Sequence, residues 1–456
     1  MPERAEKRGR ETRRLLVLSY HFPPDGAMGG QRWAALSKYL ARAGWEVHVV
    51  TASRPNGTTT PPGVRRVYRA RRTTLNEWYR ARNSASGATT ENYSNGSSAL
   101  KESSVVRFLK LIRKIAGSAA GLPDSGRGWL TRAALAARAA MREADFDCII
   151  SSGPLHSSAF AAFAASLGTG VEVWIDMRDP WSITHEMNTP TDTFIRSERF
   201  VLRQIERLAL PRASRVLANT AEFATSLRST YPSLRVTHFP NGVDLETLPV
   251  RDPSKVVGGS IAYVGTLYAG RSLSSLFAAM RQVSIESPEI AASLRLNIAG
   301  ALESPHKERM QAEIDSHGVA HMVNLVGLLP RASALELLNR SNLAIVLAQD
   351  QPLCVPAKVY ESVGLGTPTL VIAEEKSAAS NEAHRIGAFA VEGDDVAGIK
   401  ALLVDMLTGK IPSTLKPSAR ISYEELAFDM DRLLRESVPE RDRGRAAAPN
   451  SLPRFA

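Results

Sequence analysis

The chain of 456 residues has room for two or three domains of ordinary size, so a small scaffold stapled by disulfides or a metal is excluded. Its 44% hydrophobic and 23% charged residues are the composition of a folded globular protein rather than a disordered one. A formal net charge of +11 admits anionic partners, namely nucleic acid, a phosphorylated substrate or an acidic membrane surface, while two cysteines, Cys148 and Cys354, are too few for a disulfide framework.

Residues 1–13 carry mixed charge and are expected to be a flexible arm. With no small-residue cleavage site behind them they predict a cytoplasmic protein. The segment from Arg14 to Tyr20 reads as a strand, Phe22 to Gly30 as a Pro/Gly-rich loop, the next stretch as a helix ending near Gly44, and Glu46 to Thr51 as a second strand. That order opens a doubly wound parallel sheet, because parallel strands need a crossover helix.

From Arg54 to Gly128 the pattern degrades. Ser, Thr, Asn and Gly crowd residues 83–104, predicting a flexible insertion, and arginines gather between Arg65 and Arg82. Over Val105 to Ile115, Arg107, Lys110, Arg113 and Lys114 alternate with apolar residues as in a basic amphipathic helix. A helix is then expected from Trp129 to Arg142, a strand over Asp147 to Ser151, a helix stopping at Gly168 and a strand over Val171 to Asp176. A helix over Asp192 to Leu210 and strands over Arg215 to Asn219 and Arg235 to Phe239 complete a first domain, 14–240.

Residues 241–259 lack periodicity and read as a linker at which two domains could hinge. A second alternation, 260–420, carries strands near Ile261 to Val264, Leu294 to Ile298, Val323 to Val326, Leu343 to Leu347 and Thr369 to Ile372. A last helix, 421–437, is expected to pack back on the first domain, and 438–456 to form a disordered tail. No apolar stretch approaches the roughly 20 residues of a membrane-spanning helix.

The most informative segment is Val355-Pro356-Ala357-Lys358-Val359-Tyr360-Glu361. Pro356 suits the first helical position, so free backbone N–H groups at the helix start and the Lys358 charge would favour a phosphate. Glu361, three residues on, shares a helical face with Lys358; the two could serve a ribose diol and its phosphates, or simply pair with each other.

Together with Ser19-Tyr20-His21-Phe22-Pro23-Pro24, Gly29-Gly30, Asp176-Met177-Arg178-Asp179-Pro180-Trp181, Pro240-Asn241-Gly242-Val243-Asp244 and Tyr263-Val264-Gly265-Thr266-Leu267, this segment resembles glycosyltransferase family 4 over residues 14 to 437. The resemblance implies the GT-B architecture, two Rossmann-like domains facing across a cleft, and metal-free transfer of a sugar from a nucleotide-diphosphate donor with retention of configuration. It places Gly29 and Gly30 at the diphosphate and acceptor, Gly265, Thr266 and Arg271 at the phosphates, Leu328 at the base, and Val355, Pro356, Lys358 and Glu361 at the diphosphate and ribose. Catalytic candidates are Arg178 and Asp179, at a strand end where active-site groups project, and His156, which follows another strand end. Each has a plainer reading, an Arg178–Asp179 pair and a packed or capping histidine.

Two departures stand out. Thr266 occupies a position where many members have arginine, and Leu353 one where many have the first of two glutamates separated by seven residues. They keep open an alternative, a catalytically degenerate GT-B protein that binds nucleotide or acts as a scaffold. A nucleotide-sugar epimerase is a further rival. The expected partners are a nucleotide sugar, a glycan or polyprenyl-linked acceptor in cell-surface polysaccharide or glycolipid synthesis, and an anionic membrane surface on the inner face of the cell membrane, met by Val105 to Ile115. Nucleic acid is not expected, because the basic residues accompany no recognised nucleic-acid motif. No clustered His/Asp/Glu metal-ligand set is present in the sequence.

Overall fold

Leu15, Leu16, Val17 and Leu18 are all fully buried, so the strand they form is covered on both faces, as in parallel sheets roofed by helices. The computed structural model describes residues 12–25, 28–53, 59–71, 127–181, 193–267, 271–301 and 306–438. Strands β1 (Arg13–Ser19), β2 (Trp45–Ala52), β3 (Val64–Ala70), β4 (Cys148–Ser152), β5 (Glu172–Met177), β6 (Arg215–Ala218) and β7 (Val236–His238) form a sheet in the order β3-β2-β1-β4-β5-β6-β7, parallel throughout.

Two helical layers enclose this sheet. Leu15 and Val17 face α1 (Met28–Arg42), through Trp33, Leu36 and Leu40. Leu16 and Leu18 face α2 (Arg127–Glu143) and α3 (Ser157–Ser166), whose alanines allow close approach. The second layer continues over β5 and β6 with α4 (Thr193–Ala209) and α5 (Ala221–Thr230), since Val173 and Ile175, two residues apart on β5, pack into its neighbouring parts.

The second sheet, also parallel, comprises β8 (Val257–Val264), β9 (Arg295–Ala299), β10 (Val323–Gly327), β11 (Ser341–Leu347), β12 (Thr369–Ile372) and β13 (Phe389–Val391) in the order β10-β9-β8-β11-β12-β13. Its helices are α6 (Ser274–Glu286), α7 (Pro288–Ala291), α8 (His306–His317), α9 (Arg331–Arg340), α10 (Ala357–Gly364), α11 (Ala378–Ile386) and α12 (Val396–Leu407). The last helix, α13 (Tyr423–Ser437), lies beside α1 and gives Leu426, Met430 and Leu434 to the first domain's core, with the Trp45 indole N–H donating to Asp431 at 2.6 Å.

Several elements differ from expectation. β3 was not foreseen: its sequence, VRRVYRA, places three arginines on an edge strand, where charge is tolerated because one side of the ladder is unpaired. β8 starts at Val257 rather than Ile261. Gly259 permits this by adopting φ +73°, and a Cβ there would stand 2.5 Å from Ser293 O. The linker is not loose. Val243 N donates to Ile421 O at 2.8 Å and Tyr423 N to Val243 O at 3.0 Å, so outgoing and returning crossings pair like a short parallel bridge. Asp244 binds Lys38 at 2.9 Å and Tyr39 at 2.7 Å on α1. The insertion 83–104, the basic segment 105–115, residues 1–11 of the arm and 439–456 of the tail lie outside the described residues.

Candidate active site

In each sheet the strand order reverses once, between β1 and β4 and between β8 and β11. Loops leaving the carboxyl ends of such strands diverge and open a crevice. The two crevices meet in a cleft of ≈ 280 Å³ whose walls include Lys38, Arg178 and Asp244 from one side and Arg331, Ala357 and Glu361 from the other.

Asp176, the last acid before the β5 turn, is a scaffold group. Fully buried, it takes Arg32 through Nε and Nη2, both at 3.1 Å, the Trp33 indole N–H at 2.8 Å and the Ser152 hydroxyl at 2.9 Å. Arg32, also fully buried, continues to Pro240 O at 2.6 Å, Phe239 O at 3.0 Å and Asn241 Oδ1 at 3.0 Å. One guanidinium therefore ties the strand end, α1 and the start of the linker together, and Asp176 is committed to it rather than to Arg178.

Arg178 follows that anchored strand. A Cβ at Gly29 would lie 3.3 Å from Pro154, a tight approach, and 3.5 Å from Arg178 Nη1, an ordinary contact, so the guanidinium lies beside the start of α1. Gly30 has a different reason: a Cβ would stand 2.8 Å from Phe22 Cα, and the helix packs directly on its own loop. His156 occupies the N-cap position of α3 without capping it, and its ring stacks on Trp181 with centroids 4.7 Å apart. Burial lowers its pKa to about 3, so it is neutral at ordinary pH. Burial pushes the Asp179 carboxyl up against the opposing pull of Arg178.

On the second domain, Glu361 is 2% exposed and bridges two cations, Lys358 Nζ at 2.7 Å and the Arg331 guanidinium. Burial pushes its carboxyl up, but Lys358 and Arg331 more than offset that and leave it below the usual carboxylate range. Arg331 enters from α9, thirty positions away. Pro356 is the N-cap of α10, so the helix starts within the expected stretch Val355 to Lys358, and Val355 is buried in the domain core.

The loop after β8 is fastened to the loop after β11. Ser272 N donates to Gln349 Oε1 at 3.0 Å, Gln349 Nε2 donates back to Ser272 O at 3.1 Å, and Arg271 Nη2 donates to Gln351 Oε1 at 3.2 Å. Gly265 hydrogen-bonds Ala299 O at 2.9 Å, while Thr266 is exposed. Leu328 is 78% exposed beyond Gly327, outside the cleft wall. Burial and Asp179 push the Cys354 thiol up to about 12 while Arg271 pulls it down. Leu353 packs against the first-domain cluster that includes Trp181, and its carbonyl accepts from the Thr220 hydroxyl at 2.9 Å.

Of the residues expected to bind or react, Arg178 and Glu361 line the same cleft, Lys358 joins them through its ion pair with Glu361, and Arg271 is held by Gln351. Arg32, Lys38, Arg331, Gln349 and Gln351 were not foreseen. Arg32 had a signal, a charge one residue from the apolar stripe of Trp33, Leu36 and Leu40; Arg331 had none beyond following a proline.

Residues 29–242 match the model of the glycosyl transferase 4-like domain, and residues 258–424 that of the glycosyl transferases group 1. A comparison with curated protein sequences returns no match. Among solved structures the chain is similar to sucrose-phosphate synthase (tll1590) from Thermosynechococcus elongatus, with TM-score 0.59 and 14% identity over 93% of this chain and 98% of that one. It is also similar to Anabaena Alr3699/HepE, solved in complex with UDP-glucose, with TM-score 0.56 and 15% identity over 93% and 99% of the two chains. WaaG, a glycosyltransferase involved in lipopolysaccharide biosynthesis, gives TM-score 0.52 and 11% identity over 92% and 95%. At these identities the structural likeness concerns the fold, which is GT-B. Because the two models follow one another along nearly all of the two-sheet body, the chain belongs to the group 1, family 4-like glycosyltransferases.

Proposed function

We propose that the protein transfers a sugar from a nucleoside-diphosphate donor to a glycan or lipid-linked acceptor, with retention of anomeric configuration, in the synthesis of a cell-surface polysaccharide or glycolipid. The observation that carries this reading is a cleft lined by Arg178 from the first domain and by Arg331 and the buried Glu361 from the second, with Lys358 and Arg331 both paired to Glu361. A diphosphate leaving group gains negative charge as the bond from the sugar's anomeric carbon to its oxygen breaks, and fixed cations in a cleft stabilise that charge. Arg178 from the first domain, with Lys358 and Arg271 from the second, would hold it. Glu361 would accept hydrogen bonds from the ribose hydroxyls while Arg331 keeps it ionised. The acceptor hydroxyl bonds to the same anomeric carbon on the face the diphosphate leaves, and its proton passes to the departing phosphate oxygen. His156, which is neutral, and the Asp179 carboxyl would contact the sugar from the acceptor side. Among the described residues no His/Cys/Asp/Glu group is arranged to hold a metal ion, and none of these steps requires one.

The test is thermal stabilisation by a panel of nucleotides and nucleotide sugars, because a ligand of the native state raises stability with the logarithm of its concentration over Kd. One base should be selected, and Lys358→Ala should weaken that binding about tenfold or more, the loss of one charge-assisted contact. The anomeric configuration of the product, read by NMR, checks retention. Leu353 supports a second reading, a nucleotide-binding protein without transferase turnover, since the side chain is spent on the first domain's core. Selective stabilisation with neither transfer nor sugar hydrolysis would favour it.

A further inference from the structure

The helical layer of α2, α3 and α4 carries large apolar side chains on its water-facing side. On α4, Phe200 is 63% exposed and Leu208 59%. With 3.6 residues per turn, the outward arc of this helix runs Arg203, Arg207, Phe200, Gln204, Leu208, Val201, opposite the buried Leu202 and Ala209. One edge of the arc is cationic; its middle and other edge are largely apolar. Glu206, the one carboxylate among the described side chains of α4, is buried and accepts from the Tyr231 hydroxyl at 2.9 Å, off the outward arc. The pattern extends to the neighbouring helices. Leu135 on α2 and Leu167 just past α3 are both exposed, Arg138 of α2 donates to Leu167 O at 2.6 Å, and Arg132 and Arg142 are exposed on the same helix as Leu135.

We propose that this face docks on an anionic lipid surface, the apolar side chains entering the headgroup boundary and the arginines meeting lipid phosphates. Exposed apolar residues spread over three helices and accompanied by arginines suit a fluid anionic interface, which needs no matching shape. A second copy of the chain would set arginine against arginine. Arginine stems can lie along the apolar surface with the guanidinium at the phosphate level. α4 leaves the loop after β5 and runs back antiparallel to the strands, so docking would hold the mouth of the cleft beside the headgroups. The inference deepens the lipid-linked acceptor reading by naming the surface, and it is independent of donor binding.

Full-length protein is mixed with vesicles of phosphatidylcholine and phosphatidylglycerol, or of phosphatidylcholine alone, and floated on a density gradient. The protein should float with the anionic vesicles, stay behind with the neutral ones, and be released by high salt. Arg203→Gln and Arg207→Gln should each weaken binding about fivefold, the equivalent of about 1 kcal/mol per basic residue at such a surface, and Phe200→Ser with Leu208→Ser about tenfold or more. Retained thermal stabilisation by the nucleotide that stabilises wild type shows that the variants are folded and separates this test from that of the donor site. Equal binding to both vesicle types, binding unchanged in the variants, or a dimer in sedimentation that these substitutions dissolve would each overturn the proposal.

Discussion

Glu361 concentrates the electrostatics of the cleft in one side chain. Replacing it by glutamine leaves Lys358 and Arg331 facing a neutral amide; since both cations reach solvent, the expected loss is about 1–2 kcal/mol, below that of a fully buried pair. Its folded pKa is depressed, so the stabilisation is present above the ordinary value of 4.5 and is lost as pH falls through the folded value. Urea denaturation over acidic pH should therefore show a shallower decline for Glu361→Gln than for wild type. His156 adds a separate slope at higher pH. Its pKa falls from 6.5 to about 3 on folding, so the unfolded chain binds more protons in that window and stability declines as pH drops through it. The decline is at most about 1.4 kcal/mol per pH unit, and His156→Gln should flatten it. Helical spacing made the Lys358–Glu361 pair legible in the sequence. Arg331 was not, because only the folded chain brings α9 against α10.

At the scale of the element, α1 shows how a helix readable from its apolar period can hide its most consequential residue. Arg32 reads as a surface charge, yet it is the buried bolt between β5 and the linker. Arg32→Met strands the Asp176 carboxylate with only Trp33 and Ser152, at a cost of about 3–5 kcal/mol; the double variant Arg32→Met with Asp176→Asn should recover part of that in chemical denaturation. Gly30→Ala should cost about 1–3 kcal/mol by forcing α1 away from Phe22, measurable as a lowered Tm. Strand β3 was illegible for a related reason: sequence periodicity assumes that a strand's polar residues mark one face, whereas an edge strand admits arginine almost anywhere along its free side.

For the whole molecule, two successive strand–helix alternations were enough to read two doubly wound sheets, since each parallel strand must be followed by a crossover. The joint between them was not readable, because its order comes from residues far apart in sequence: Val243 with Ile421 and Tyr423, and Lys38 with Asp244. A chain ending at Ser422 lacks the helix that supplies Leu426, Met430 and Leu434 to the first core, and each such side chain contributes about 1.5–3 kcal/mol. Such a truncation should be insoluble or melt far below the full chain, while the second sheet's own core loses none of its residues. This return of α13 has a consequence for biogenesis. The first domain is completed by a segment synthesised only after the second, so the part of its core that Leu426, Met430 and Leu434 cover stays open while the second domain is translated, and the nascent chain offers a chaperone a binding site until α13 arrives.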